Sequence, residues 1–224
     1  HYCSRRQRQM CIRDSLITAT TITNAQHIYV ESGKSSTLFD YRNSNGVASL
    51  DNLQTTSNDF MEIGYSQNLF GPKSHVSIGF NYAGYGAVNS DINGNYMAWD
   101  LNYAGATMGI DFTLTHFRKL QLYYYAGVTS KAFVDGYQTI NNSVYNMEND
   151  EDFDTTMTSA RHGLGLSHPI SDNLSFYVQY MVGKSQDILD GDDILKIENT
   201  NLSFGLFIDV SRQKEENKEK ENNN

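Results

Sequence analysis

The chain has 224 residues, only 2 prolines and a formal net charge of −9. This acidic balance argues against binding to nucleic acid, whose phosphates require cationic partners. A membrane-spanning helix is excluded, because it needs roughly 18 or more consecutive apolar residues and the sequence has no such stretch. The length suits one large β domain, since β-barrels of this size fold as single units.

The first 15 residues, HYCSRRQRQMCIRDS, differ from the rest of the chain in composition and pattern. We interpret residues 1–15 as a non-native artefact, the translated read-through of a sequencing adaptor. A genuine basic arm or the charged start of a secretory signal is the alternative. Both cysteines, Cys3 and Cys11, lie in this piece. The remaining chain therefore offers no disulfide, thiolate metal site or cysteine nucleophile.

Residues 16–25, LITATTITNA, end in small residues and indicate the remnant of a secretory signal peptide cut after Ala25. An ordinary flexible leader is the alternative. At the other end, residues 211–224, SRQKEENKEKENNN, contain no apolar residue and are predicted to form a disordered polar tail. The folded domain is expected to run from residue 26 to residue 210.

Within that domain, apolar and polar residues alternate in eight runs, which is the period of a strand with two different faces. The runs are residues 27–41, 58–70, 75–88, 96–115, 119–134, 153–169, 174–186 and 196–210. The connections after the second, fourth and sixth runs are tight, whereas most of the others are long and polar, including 42–57, 139–152 and 186–196. This alternation predicts an all-β fold, an eight-stranded antiparallel up-and-down transmembrane β-barrel.

The same period assigns the two faces of each strand. In the clearest run the apolar set expected to face lipid is Leu120, Leu122, Tyr124, Ala126 and Val128, and the more polar alternate set is expected to fill the lumen. In the fourth run the apolar residues change from odd to even positions. They are first Trp99, Leu101 and Tyr103, and later Met108, Ile110, Phe112 and Leu114. We expect a β-bulge near Ala104-Gly105-Ala106, because one extra residue exchanges the faces of a strand.

The signal remnant, the eight runs and the Tyr-, Gly- and Asn-rich connections resemble the small outer-membrane β-barrel proteins of Bacteroidota, in the broad OmpA-like and OmpX-like class. The resemblance covers residues 26–210 and rests on pattern. It implies a porin-like barrel in the outer membrane of a Gram-negative bacterium, with long loops at the cell surface and both termini in the periplasm. No counterpart of the peptidoglycan-binding domain that follows the barrel in OmpA-like proteins is expected after residue 210.

Charged residues on the inward faces are the first candidates for a functional site. An eight-stranded barrel is just wide enough for its own side chains to fill it, and charges enclosed there must be paired. Glu62 and Arg161 fall at similar heights on opposite walls, so we predict a lumen ion pair that plugs the barrel. Lys131, Asp111 and Asp209 are expected to extend this charge network. The alternative is that each charge meets lumen water separately.

Acidic connections are the second candidate site. Residues 89–94, NSDING, partly match the sequence pattern of a calcium-binding loop, which makes Asp91 and Asn93 weak metal candidates. Asn93-Gly94 is better interpreted as a hairpin turn. Asp190 and Asp192 are equally weak candidates in a later acidic loop. These loops suit divalent cations that bridge lipopolysaccharide, or form a solvated acidic rim.

Two other classes of protein share part of this pattern. An outer-membrane enzyme would need an orienting third group beside His162 and Ser159, and none is identified, so we expect no catalysis and no cofactor. A soluble lipocalin-like barrel would need the opposite faces, with the apolar set enclosed.

The predicted function is a structural or surface-interaction role through acidic extracellular loops, with a side-chain-plugged lumen. The alternative is an OmpW-like channel or binder for small apolar molecules, which needs a lateral opening or a hollow lumen. The expected partners are outer-membrane lipid, lipopolysaccharide and divalent cations at the acidic loops. Nucleic acid is not expected as a partner, and the protein is expected to be a monomer.

Overall fold

The computed structural model describes residues 26–42, 53–90, 94–148, 156–186 and 194–210. The strands are β1 (Gln26–Arg42), β2 (Gln54–Asn68), β3 (Ser74–Ser90), β4 (Tyr96–Phe117), β5 (Leu120–Ile140), β6 (Ser143–Asn146), β7 (Met157–Ser171), β8 (Leu174–Ser185) and β9 (Ile194–Asp209). The expected artefact, signal remnant and polar tail all lie outside the described residues.

Eight of these strands close into a barrel. Each long strand pairs antiparallel with its neighbour in the chain, β4 pairs with β5, and β9 pairs with β1. Among the residues that the structure describes, the short strand β6 pairs only with the end of β5. Closure leaves the eight long strands without a free edge, the one solution that satisfies every backbone group of a sheet in lipid. The predicted fold class is confirmed.

No helix in the described part of the chain is long and apolar enough to cross a membrane.

The two ends of the barrel differ as the sequence predicts. Tight turns connect β2 to β3, β4 to β5 and β7 to β8 at one end, where the Val210 amide also donates to the Gln26 carbonyl at 2.9 Å. We call this the short-turn end, and the opposite one the long-loop end. Gly71 and Arg118 adopt positive φ angles of 107° and 56° in two of the tight turns.

One expected loop is partly a hairpin. Residues 139–152 were predicted as a polar connection, but β5 continues to Ile140 and turns through Asn141 and Asn142 into β6. Both asparagines have positive φ, 46° and 69°, the geometry that a two-residue hairpin turn requires. Asparagine tolerates this region better than most residues, so the Asn-Asn pair carried the missed signal.

The predicted faces agree with the exposure of the side chains. Apolar residues on the outward face are uncovered, for example Met61 at 55% and Phe204 at 58% exposed, whereas their inward neighbours Glu62 and Ser203 are buried. The same holds along β5, where Val128 is exposed and Thr129 and Lys131 are enclosed. The barrel therefore carries its apolar belt outside and many of its polar side chains inside.

The expectation for β4 is wrong. Leu101 and Tyr103 point inward and are 0% exposed, and the register between β3 and β4 runs unbroken from Ser74 to Ser90, with no bulge at residues 104–106. The nearby irregularity lies on β5, where Val134 is an extra residue opposite the Asn102–Tyr103 step of β4. The apolar phase shifts because the lumen itself becomes apolar towards the long-loop end, so hydrophobicity alone could not assign the face.

Candidate functional site

The buried ion pair between Glu62 on β2 and Arg161 on β7 lies at the centre of the lumen. Arg161 Nη2 donates to both carboxylate oxygens of Glu62, at 2.7 Å and 2.9 Å. Glu62 is 3% and Arg161 7% exposed, so the charges are shielded from bulk solvent. The two strands are not neighbours in the sheet, and the contact therefore spans the interior of the barrel.

Neutral groups complete the surroundings of Glu62. Tyr29 OH donates to Oε1 at 2.7 Å, and Thr107 Oγ1 donates to Oε2 at 3.2 Å. Asn81 Nδ2 donates in turn to Thr107 Oγ1 at 2.5 Å. A carboxylate that accepts several hydrogen bonds and faces a guanidinium can remain ionised away from water.

Aromatic rings hold the guanidinium from the other side. Arg161 Nη2 also donates to Tyr125 OH at 3.2 Å, and Arg161 Cζ lies 5.3 Å from the centre of that ring and 5.7 Å from the centre of the Phe60 ring. Cation–π contact of this kind is strongest where water is excluded. The ion pair is thus held in place by hydrogen bonds around Glu62 and by ring contacts around Arg161.

A second buried carboxylate, Glu31, was missed by the sequence analysis. It lies directly opposite Glu62 in the register of β1 and β2 and is 2% exposed. Its Oε2 accepts from Tyr177 OH at 3.0 Å and from Gln179 Nε2, while its Oε1 has no hydrogen-bond partner among the described residues. The alternation in β1 is weak, because small and polar residues occupy both of its faces.

The other predicted members of the charge network lie apart from the central pair. Lys131 is buried and donates to Tyr85 OH at 2.5 Å rather than to a carboxylate. Asp111 pairs with His75, with 2.7 Å between Oδ1 and the ring Nδ1. Asp209 lies near the short-turn end, opposite His27 in the register of β9 and β1. The structure therefore brings Glu62 and Arg161 together and distributes Lys131, Asp111 and Asp209 along the lumen.

Described residues line two small cavities in the short-turn half of the lumen. The outer one has a volume of about 110 Å³ and is lined by His27, His75 and Asp111 among others. The inner one, about 30 Å³, reaches Glu31, Glu62 and Arg161. Ser66, Asp111, Tyr123 and Phe207 line both cavities.

The long-loop half of the lumen is filled by apolar side chains. Its buried cluster consists of Phe39, Phe60, Ala83, Tyr85, Ala87, Leu101, Tyr103, Met147, Met157, Leu195 and Ile197, with Leu53, Trp99 and Phe133 packed against it. A lumen that is polar throughout was expected, and this half contradicts that expectation. The apolar cluster encloses the chain's single tryptophan on one side, which makes Trp99 a natural reporter for this region.

The weak metal candidates Asp91, Asn93, Asp190 and Asp192 lie outside the described residues. Within the described ranges, no three His, Cys, Asp or Glu side chains come together in a way that could hold a metal ion.

Ser159 and His162 face opposite sides of the barrel wall. Ser159 points into the lumen and is buried, whereas His162 is exposed on the outer surface, where its ring lies 6.1 Å from that of Tyr124. A nucleophile and its base must be within hydrogen-bond reach. These two residues therefore do not form a catalytic pair.

The outer surface carries one apolar belt. Towards the long-loop end it is followed by exposed ion pairs between neighbouring strands, Lys34 with Asp59 at 2.7 Å and Lys184 with Glu198. An outward apolar band bounded by polar groups is the surface that a bilayer demands of a barrel. Fold and surface together define a small outer-membrane β-barrel protein.

No protein-family model and no curated protein matches the chain. Among solved structures, the outer membrane protein OprG from Pseudomonas aeruginosa is similar over 83% of this chain and 97% of its own, with 11% identity and a TM-score of 0.50. Ail, the attachment invasion locus protein of Yersinia pestis, matches over 84% and 100%, with 15% identity and a TM-score of 0.43. The outer membrane protease OmpT from Escherichia coli matches over 84% and 98%, with 8% identity and a TM-score of 0.48.

At such identities the likeness concerns the fold alone. With the apolar belt it assigns the chain to the outer membrane of a Gram-negative bacterium.

Proposed function

We propose that the protein is a non-catalytic outer-membrane barrel that acts at the cell surface through its long, acidic loops. Its own side chains close the lumen. The short-turn end then lies in the periplasm. The observation that carries this proposal is the buried contact of Arg161 with Glu62 across the lumen. Lipopolysaccharide, divalent cations at the loops and a monomeric state belong to the same proposal.

Closure is supported at two levels of the barrel. The charged centre leaves a cavity of only about 30 Å³ beside the ion pair, and the apolar cluster beyond it contains several side chains that are almost completely buried. A hydrated ion that crosses the barrel would have to displace both layers. Little conductance is therefore expected.

Single-channel recording in planar bilayers tests this proposal. The wild type is expected to show no stable open level. Arg161→Ala combined with Glu62→Ala removes the central pair and should raise the frequency of brief openings, because only the apolar layer then remains to be displaced. The matched control is Lys34→Ala with Asp59→Ala, an ion pair on the outer surface. A wild-type protein that conducts steadily, with unchanged conductance in the lumen variant, contradicts the plug.

A second candidate function is the binding or passage of a small apolar molecule. It is favoured by the apolar half of the lumen and by an interruption of the adjacent wall. Between the pairs Thr55–Ala87 and Phe60–Ala83, four residues of β2 face three of β3, and the ladder between these strands is broken. Thr37 bridges the gap from β1, since its Oγ1 donates to the Gly86 carbonyl at 2.6 Å and accepts from the Gly86 amide at 3.0 Å.

Quenching of Trp99 fluorescence tests this second function. A brominated alkane that binds in the apolar half of the lumen should quench Trp99 saturably, with a stoichiometry of one per barrel. Quenching that rises linearly with the alkane concentration would indicate partition into the surrounding lipid or detergent and would reject a specific site.

A further inference from the structure

The inner cavity of the lumen is bordered by more negative than positive charge. Glu31, Glu62 and Asp111 line it, against one guanidinium, that of Arg161. Asp111 is paired with His75 at 2.7 Å, which leaves Glu31 and Glu62 facing one guanidinium. Lys131 does not line the cavity, because it donates to Tyr85 and contacts that ring on the apolar side of the lumen. A buried excess charge is costly unless the group takes up a proton or another counter-charge is bound.

Two oxygens at this cavity lack partners among the described residues. Glu31 Oε1 is one, on a side chain that is 2% exposed, and Ser77 Oγ is the other. Both residues line the inner cavity, as does Arg161, whose Nε also lacks a partner among the described residues. Buried polar atoms are satisfied in almost all proteins. The two oxygens therefore indicate a bound group that interacts with oxygen ligands, and the guanidinium N–H indicates an accepting atom beside it, such as the oxygen of one water.

Size and charge limit what this group is. One water-sized group needs roughly 10–15 Å³ of such space, so a cavity of about 30 Å³ has room for one or two. A divalent cation such as Mg²⁺ usually keeps several of its waters and would not fit. Hard cations prefer oxygen ligands, and the cavity offers carboxylates and hydroxyls.

We propose that the short-turn half of the lumen binds one monovalent cation of the size of Na⁺, with the Glu31 carboxylate as its charged ligand and neighbouring hydroxyl oxygens as neutral ligands. The outer cavity is the route of entry, because it shares four lining residues with the inner one. Its histidines, serines and Asp111 form a polar wall along which a hydrated ion can move. This site does not depend on the proposed role of the loops.

Thermal unfolding of the refolded barrel tests the site. The melting midpoint is followed by heat-dependent electrophoretic mobility while NaCl replaces N-methyl-D-glucamine chloride at fixed pH and ionic strength. A ligand that binds only the folded state raises stability with its concentration. The wild-type midpoint should therefore rise with Na⁺, with a linkage of one ion per barrel. Glu31→Gln should weaken the apparent Na⁺ affinity at least tenfold, whereas the exposed loop variant Glu148→Gln should keep it.

A second measurement detects Na⁺ binding directly on the wild-type protein and does not require that a variant refolds. The ²³Na relaxation rate of the wild-type protein in detergent should increase on binding and fall again when excess K⁺ or Li⁺ competes. The proposal is overturned if the wild type shows no Na⁺-specific change in midpoint or relaxation. It is equally overturned if Glu31→Gln retains the full response, or if stability depends on pH alone, which would make a proton the counter-charge.

Discussion

The ring of Tyr125 covers Gly109 on the neighbouring strand, where an added Cβ would lie 2.2 Å from the tyrosine hydroxyl oxygen and 2.4 Å from Cζ. The same hydroxyl accepts the hydrogen bond from Arg161. Three further tyrosines cover inward glycines in this way, Tyr29 over Gly79, Tyr123 over Gly165 and Tyr177 over Gly205. Glycine is thus placed where a narrow lumen must accommodate a large ring.

Gly109→Ala is expected to displace the Tyr125 ring and to lower the free energy of unfolding by about 1–3 kcal/mol, the usual cost of overpacking. Urea unfolding in lipid vesicles measures it. The control is Gly109→Ala combined with Tyr125→Leu, in which the methyl group finds space. The combined loss should be smaller than the sum of the two single losses; additive losses would show that the ring does not require the glycine.

Removing one partner of the central ion pair should be costly. Arg161→Met leaves Glu62 buried without its counter-charge, and we expect a loss of about 3–5 kcal/mol in the free energy of unfolding. Lys34→Met breaks an exposed pair on the outer surface and should cost no more than about 1 kcal/mol. Similar losses in the two variants would mean that water reaches the Glu62 carboxylate.

The Thr37 hydroxyl should stabilise the break between β2 and β3. Thr37→Val keeps the shape of the side chain but leaves the amide and carbonyl of Gly86 without this partner, which should cost about 1–3 kcal/mol. Thr115→Val, on an exposed position of β4, is the control and should change stability little. Hydrogen exchange of the Gly86 amide provides a local measurement, since exchange is expected to accelerate in Thr37→Val. Unchanged protection of the Gly86 amide would indicate that Thr37 does not stabilise the break between β2 and β3.

A charge placed in the apolar belt should oppose insertion. Phe204→Lys puts an ammonium group among lipid tails and should cost about 2–4 kcal/mol, whereas Ser130→Lys, towards the polar edge of the belt, should cost about 0–1 kcal/mol. Folding into vesicles of defined thickness measures both. Equal costs would place the membrane boundary elsewhere on the barrel.

The sequence predicted the fold because a period of two is visible wherever the two faces of a strand differ in polarity. It predicted Glu62 and Arg161 as partners because the same period places both on inward faces, at similar heights on opposite walls. Leu101 and Tyr103 were assigned to the wrong face, because an apolar residue inside the lumen has the same pattern as one in lipid. Glu31 was missed since β1 shows little contrast between Gly33, Ser35 and their outward neighbours.

The orientation of the barrel wall decides which set of side chains meets hydrocarbon, and two phenylalanines of β9 test this directly. Phe204 points outward, whereas Phe207 stacks on Tyr177 inside the lumen, with 4.3 Å between ring centres. With Trp99→Phe as background, Phe204→Trp and Phe207→Trp each provide one fluorophore in vesicles of lipids brominated along the acyl chain. We predict strong quenching at position 204 and weak quenching at position 207. Stronger quenching at position 207 would contradict the orientation of the barrel wall.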